Sequence, residues 1–201
     1  MNVSEVLGRR DYAIISQLIP EGARVLDLGC GDGALLAWLK VNKRVEARGV
    51  ELSRDLVQVA IARGVTVYQG DLEASLADYP DQAFDFVILS QTVQETRHPL
   101  VVLKEMLRIG RHAIVAFPNF GHWRVGLNHL LSGRAPKTGL FPFEWYDSPN
   151  IHFLTVIDFE ELVAKQGWQV DRRLFLSGPS VVTALPNWRA EIAIYLFHGP
   201  A

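Results

Sequence analysis

Residues 25–36 read VLDLGCGDGALL: an apolar run ends on Asp27 and Leu28, passes through Gly29, Gly31 and Gly33, and gives way to a second apolar run. This pattern constrains the fold more than any other, because it asks for a buried strand, a tight turn and a helix in immediate succession. Glycines let the main chain turn sharply and leave no Cβ between it and a ligand. Amides at the start of the following helix face an anionic or polar group. Glu51 lies 22 residues beyond Gly29, at the end of the next strand-like run. There an acidic side chain accepts hydrogen bonds from ribose hydroxyls. Two cofactor classes use this layout. Gly29, Gly31 and Ala34 satisfy even the dinucleotide pattern G-x-G-x-x-G/A, so the turn alone admits NAD as well as an adenosyl compound.

The rest of the first 117 residues alternates β-branched runs with helical patterns. The spacing predicts a leading helix over 4–19 with Ser4 as its N-cap, and strands over 23–30, 45–52, 65–70, 84–90 and 112–118. Between them it predicts helices over 34–40, from a Ser53 cap to Ala62, and from Pro99 to a C-cap at Gly110. Strands separated by helices of this size imply right-handed βαβ units and a parallel sheet covered on both faces. The rhythm breaks after Pro118 and resumes at Thr155. A stretch that long without a pattern is functional or partly helical. Thr155 and Asp158 resemble a capping box ahead of FEELVAKQG. Residues 168–176 and 190–198 read as two strands with no helical pattern between them, which pair antiparallel as neighbours.

Composition narrows the function. A length of 201 residues favours one domain, 1–201, with an irregular excursion over 118–154. With 20 basic and 22 acidic side chains, nothing in the charge favours nucleic acid or an anionic membrane as partner. Cys30 is the only cysteine, which excludes an internal disulfide framework and a cysteine-based zinc cluster. The start, MNVSEVLGRRDYA, lacks a basic stretch followed by an apolar one, and no run approaches 18 apolar residues. Neither a signal peptide nor a membrane span is expected, and the setting expected is cytoplasmic.

Three features move the glycine turn towards an adenosyl sulfonium ligand. Asp27 opens an E/D-x-G-x-G-x-G string, Gly70–Asp71–Leu72 follows the third strand where an acid can meet an adenine amine, and the C-terminal strand pair suits a sheet with one reversed strand. With them, nearly the whole chain resembles the class I S-adenosylmethionine-dependent methyltransferase fold. The resemblance implies a three-layer α/β/α sandwich around a mostly parallel seven-stranded sheet with the last strand reversed. It implies S-adenosylmethionine or S-adenosylhomocysteine as cofactor. Asp27, Gly29, Gly31 and Gly33 would flank its methionine part, Glu51 would hold the ribose, and Asp71 with Leu72 would edge the adenine. Ser90 and Gln91 would lie near the sulfonium. Methyl transfer also needs an acceptor site with a base or an orienting group. The stretch SQTVQETRHP has no Asn-Pro-Pro-Tyr-type motif for nucleobase amino groups, although Gln91, Gln94, Glu95 and Arg97 place polar groups near the expected mouth.

The excursion places Phe117, Phe120, Trp123, Phe141, Phe143, Trp145, Tyr146 and Phe153 within the 39 residues 117–155. Aromatics offer a large contact area at low entropy cost and dominate binding hot spots. A lid, an acceptor pocket, a docking surface and an aromatic mini-core over the sheet edge are all consistent with that composition. The strings FPNFGHWR and KTGLFPFEWYDSPNIHFLT, with VLDLGCGDG, GVELS and QGDL, resemble the MetW family of methionine-biosynthesis proteins. The family commonly has a basic residue where His152 stands. The resemblance implies complex formation with the homoserine O-acyltransferase MetX. It leaves Phe120, His122, Trp123, Arg124, Phe141, Phe143, Trp145 and Tyr146 as candidates for contacting a partner or substrate.

Other chemistries find no motif. The six histidines include no HExxH string, and the expectation is no metal site. There is no G-x-S-x-G elbow and no P-loop. Cys30 reads as a packing residue, and Arg9–Arg10 and Arg172–Arg173 read as solvated pairs. Two functions follow from the resemblance: a regulator of MetX that binds S-adenosylmethionine, or a methyltransferase acting on a small molecule.

Overall fold

The computed structural model describes residues 9–200. In chain order the elements are α1 (Arg10–Leu18), β1 (Arg24–Leu28), α2 (Ala34–Lys43), β2 (Glu46–Glu51), α3 (Arg54–Ala62), β3 (Thr66–Gln69), α4 (Leu72–Ser75), β4 (Phe84–Ser90), α5 (Pro99–Ile109) and β5 (Gly110–Pro118). They continue with α6 (Trp123–Ser132), α7 (Val156–Gln166), β6 (Gln169–Ser177), β7 (Ser180–Val181), α8 (Pro186–Arg189) and β8 (Ile192–His198). The strands form one sheet in the order β3-β2-β1-β4-β5-β8-β6-β7. The pairs among β1 to β5 are parallel, and β8 runs antiparallel to both β5 and β6.

The seven expected strands are therefore present with the last one reversed. An eighth, the two-residue β7, hairpins onto β6, and a one-turn helix, α8, lies where no helical pattern was expected. Pro186 at its first turn leaves no idle N–H, and four residues are too few for an apolar period to show. Leading residue Ser4 lies outside the described residues. Gly110 does follow α5, but with φ −124° it is extended and opens β5. Its lack of a side chain is required because a Cβ would stand 2.5 Å from a Val87 methyl.

Alternation along the central strands builds two cores. Leu26, Val87, Leu89, Val115, Phe117 and Tyr195 face α5 and α7, while Val25, Ile88, Ile114, Ala116 and Ile194 face α1 and α2. Strands buried on both faces need near-continuous apolar sequence, which β1, β4 and β5 supply. Thr155 and Asp158 close the expected capping box: the Thr155 hydroxyl accepts from Asp158 N at 3.2 Å, and Asp158 Oδ2 accepts from Thr155 N at 2.9 Å. Within the excursion, the ten residues of α6 form a helix that begins at a His122 cap and stops at Gly133. No helix among the described residues is long and apolar enough to cross a membrane.

Candidate cofactor cleft and aromatic face

A cleft of about 680 Å³ opens over the C-terminal ends of β1, β2 and β4. Main-chain geometry shapes its floor. Gly29 N and Cys30 N donate to Val50 O at 2.8 and 3.0 Å, which ties the turn after β1 to the end of β2. Glu51 then lies across the turn: its Oε2 accepts from Gly31 N at 2.9 Å and its Oε1 from Ser53 N at 2.8 Å. Two amides thus fix the carboxylate before any ligand arrives, and lone pairs remain on both oxygens. Gly31 has φ +57°, and a Cβ there would meet nothing within 4 Å, so its bare main chain faces the open cleft. Gly33 has the opposite role. A Cβ there would stand 2.8 Å from Ala60 Cβ, so this glycine lets α2 start flush against α3.

Of the nine predicted cofactor residues, Gly29, Gly31, Glu51, Asp71, Leu72, Ser90 and Gln91 line the cleft. Asp27 and Gly33 are not among the lining residues and are buried. Asp27 is 2% exposed, and its Oδ1 has no hydrogen-bond partner among the described residues. Burial pushes its carboxyl up to about 7; nearby Arg9 opposes that rise, and Glu51 and Asp11 add to it. Asp71 caps α4, with Oδ1 accepting from Glu73 N at 2.9 Å, and lines the cleft wall. Gln91 adopts φ +59°, and its enclosed Nε2 has no hydrogen-bond partner among the described residues. At the mouth, burial raises the Glu95 carboxyl above the usual range, with a further push from Glu51.

Sequence reasoning missed one wall of the cleft. Arg9 and Tyr12 line it from the start of α1. Arg9 clasps Asp11 with both ends of its guanidinium, and Nη1 donates to the Tyr12 hydroxyl at 2.9 Å. The Arg9 guanidinium also lies 4.0 Å from the Tyr12 ring centre. Ser90 joins this group, accepting from Arg9 Nη2 at 3.1 Å and donating to Asp11 Oδ2 at 2.9 Å. Arg9 is therefore half-buried in a network, not solvated. The signal was present: Asp11 stands four and seven residues before Ile15 and Leu18, on the apolar stripe of α1, where a lone carboxylate needs a partner. The other expected solvated pair holds better, since Arg172 and Arg173 are exposed, although Arg173 Nε contacts Glu160 at 3.2 Å. Cys30 packs as expected: a Cβ on Gly49 would come 2.5 Å from its sulfur, and burial pushes its thiol up.

The excursion hangs from Asn119. Its Nδ2 donates to the carbonyls of Asn187 and Ala190, both at 2.8 Å, and its Oδ1 accepts from Gly121 N and Val156 N at 3.0 and 3.2 Å. His122 is buried and caps α6, with Nδ1 accepting from Arg124 N at 3.3 Å, and burial lowers its pKa. Arg124 is exposed and reaches Glu191 at 3.8 Å. Phe120 packs edge-on against Phe141 and at a tilt against Phe153, with ring centres 5.3 and 4.7 Å away, and Phe141 is buried. The outer aromatics are different. Trp145 and Tyr146 are 78% and 72% exposed, Trp123 and Phe143 are about half exposed, and Leu130 and Leu131 on α6 are 79% and 77% exposed. A concavity of about 950 Å³ lies among Phe120, Phe141, Phe143, Trp145, Arg134 and Lys137. This face touches the cleft. Ile151 N and His152 N donate to Gln94 O at 2.8 and 3.0 Å, and Ile151 itself lines the cleft wall.

The strand order with one reversed strand, and a glycine-floored cleft at the ends of β1, β2 and β4, place this chain in the class I methyltransferase fold. A solved S-adenosylmethionine-dependent methyltransferase from Thermotoga maritima, described as a possible histamine N-methyltransferase, is similar in fold with a TM-score of 0.66 at 21% identity, covering 97% of this chain and 92% of that one. A complex of the Haloferax volcanii Trm112 methyltransferase activator with a putative methyltransferase is similar with a TM-score of 0.65 at 15% identity, covering 100% and 89%. Within that fold the chain belongs to the MetW family: the family model for methionine biosynthesis protein MetW matches residues 9–197. It is 35% identical to the bifunctional methionine biosynthesis protein MetXA/MetW of Rhodopirellula baltica over 97% of its own length, and it spans 33% of the length of that relative.

Proposed function

We propose that this chain is a cytoplasmic subunit that binds S-adenosylmethionine in the cleft and docks on a separate homoserine O-acyltransferase of the MetX type, supporting homoserine acylation. One observation carries the reading. The Rhodopirellula baltica relative has MetXA and MetW parts in one polypeptide, and this chain aligns with a third of it. Fused partners that exist as separate chains elsewhere need a surface for non-covalent assembly. The exposed Trp145, Tyr146, Leu130 and Leu131 have the aromatic and aliphatic character of such a surface. For the cofactor, Glu51 would accept from the two ribose hydroxyls, and Asp71 would face the adenine amine. The bare Gly29–Gly31 main chain would admit the methionine part, with Ser90 and Gln91 beside the sulfonium. The Arg9–Asp11 clasp holds Ser90 in place at the cleft wall.

Titration calorimetry with S-adenosylmethionine and then NAD, followed by a pull-down and acylation assay with purified MetX, tests the proposal. It expects micromolar or tighter binding of the adenosyl compound, none of NAD, a stable complex and faster acylation. Absence of the complex with unchanged acylation rejects the partner half, and preference for NAD rejects the cofactor half. A second reading, methyl transfer to a small molecule, draws support from Glu95. Its carboxyl is held above the usual range at the cleft mouth, where it suits a general base. Formation of S-adenosylhomocysteine with some member of a metabolite panel, lost in Glu95→Gln, would favour that reading.

A further inference from the structure

The sheet has a second chemically dense edge, opposite the cleft. There β5 begins, β8 ends and β6 begins, so three neighbouring strands meet with their polar ends together. The β5–β8 register pairs Ala113 with Phe197, which sets His112 opposite His198. Both belong to the even-numbered positions of their strands that face the α1 side, with Ile114, Ala116 and Ile194. Phe86 stacks on the His112 ring, with centroids 5.2 Å apart and planes 18° apart, which fixes that imidazole from the neighbouring strand.

The third member arrives through a backbone irregularity. In β6 the register with β8 slips between Val170 and Arg172. Beyond the slip, Leu174 and Leu176 face the α1 side, while Val170 before it faces the other core. In an unbroken strand Asp171 would share the face of Phe175, away from the histidines. The extra residue reverses that parity, and a bulge of this kind re-aims a side chain. Asp171 Oδ2 consequently lies 3.1 Å from His198 Nδ1. One potential donor atom from each of His112, Asp171 and His198 lies within 4.8 Å of the others. His112 Nδ1 is closed off from solvent and has no hydrogen-bond partner among the described residues.

We propose that His112, Asp171 and His198 form a binding site for one divalent first-row transition-metal ion, of which Zn²⁺ is the type. Two imidazoles with one carboxylate suit such ions and not Mg²⁺ or Ca²⁺, which prefer sets made of oxygen alone. Three protein ligands leave a fourth position for water or for a donor from a second molecule. A bound ion would complete the coordination of an imidazole that the protein leaves unpartnered, and it would pin the N-terminal ends of β5 and β6 to the end of β8. Sequence spacing hides the set, because the three residues are far apart in the chain and only strand pairing and one bulge unite them. It stands against the metal-free expectation drawn from motifs, and metal titration decides between them.

The test is calorimetric titration of the untagged, chelator-treated chain with Zn²⁺ and, separately, with Mg²⁺, alongside Co²⁺ absorption spectroscopy. The expected result is one equivalent of Zn²⁺ bound, no Mg²⁺ heat, and visible Co²⁺ bands of a site containing nitrogen ligands. His112→Ala and Asp171→Asn should each weaken Zn²⁺ at least ten-fold. Asp171→Asn is the safer variant, since it is exposed and keeps the hydrogen bond to His198; an unchanged metal-free melting midpoint shows that it folds. Absence of Zn²⁺ binding overturns the proposal. So does binding that survives unchanged in the His112→Ala/Asp171→Asn double variant, which would place the ion on other histidines.

Discussion

Around the glycine turn, main chain does the shaping. Gly31 and Ser53 amides hold Glu51, and Val50 O holds the amides of Gly29 and Cys30. In the excursion the reverse holds. One buried amide, Asn119, anchors the segment, and large side chains such as Trp145 and Tyr146 are left facing outward. On the proposed function, the first region suits a small ligand that approaches the backbone closely, and the second offers a broad surface for a partner. They approach each other at Ile151, which donates its amide to Gln94 O and lines the cleft. Linkage then requires any effect of the cofactor on partner affinity to equal the effect of the partner on cofactor affinity.

The sharpest way to break this division is Glu51→Gln. A neutral amide loses charge-assisted hydrogen bonds to a ribose and turns an NH₂ towards one of the two amides that Glu51 now accepts from. Bonds to charged groups are worth about 1.5–3 kcal/mol each, so S-adenosylmethionine affinity should fall about 100-fold by calorimetry. MetX affinity measured without cofactor should stay within about two-fold. A collapse of both affinities would mean that the two regions are one site.

Asp27 gives the next effect, on stability. Its folded value of about 7 lies above the value of about 3.9 expected for an unfolded Asp. Between those values the folded chain holds a proton that the unfolded chain has released, so stability falls as pH rises from about 4 to about 7. Asp27→Asn removes this dependence. The difference in unfolding free energy between the two proteins should shift by roughly 2–4 kcal/mol across that window, read from urea titrations at each pH. Parallel curves for the two proteins would show that Asp27 ionises freely.

For the excursion, Trp145→Ala with Tyr146→Ala should weaken MetX binding about 30-fold, as hot-spot truncations of about 2 kcal/mol do. Both rings are mostly exposed, so the melting midpoint and S-adenosylmethionine affinity should hold. Loss of stability instead would make these rings part of a core.

How far the sequence alone reached follows the same line between the regions. The cleft was legible because its signals are local: a glycine spacing, an acid at a strand tip, Gly-Asp-Leu after a strand. Its Arg9 wall was legible only in part: Asp11 on the apolar stripe of α1 calls for a partner, and Arg9 supplies one two residues away, but Ser90, which joins them to the cleft from β4, is 79 residues from Asp11 and no period encodes it. The composition of the excursion was visible, but not which rings it would bury. Phe141 is enclosed and Trp145 is not, and that depends on how the loop folds back on Phe120 and Phe153. α6 is a different case: Trp123, Leu127, Leu130 and Leu131 do stand at helical spacing, but that stripe is exposed and faces no core, and the Pro, Gly and Asn around it mask the pattern.

The smallest effect makes the comparison most directly, because one substitution has opposite signs in the two regions. Gly33→Ala puts a methyl 2.8 Å from Ala60 Cβ at a residue with φ +72°. Strain and overpacking should lower the unfolding free energy by about 1–2 kcal/mol in urea. Gly126→Ala lies inside α6, where a Cβ would meet nothing within 4 Å. There the alanine restricts the unfolded chain and suits the helix, so stability should rise by about 0.5–1 kcal/mol. If Gly126→Ala leaves folding stronger but MetX binding weaker, the bare α6 surface is itself in contact with the partner, and the docking face extends from the aromatic loop along the helix.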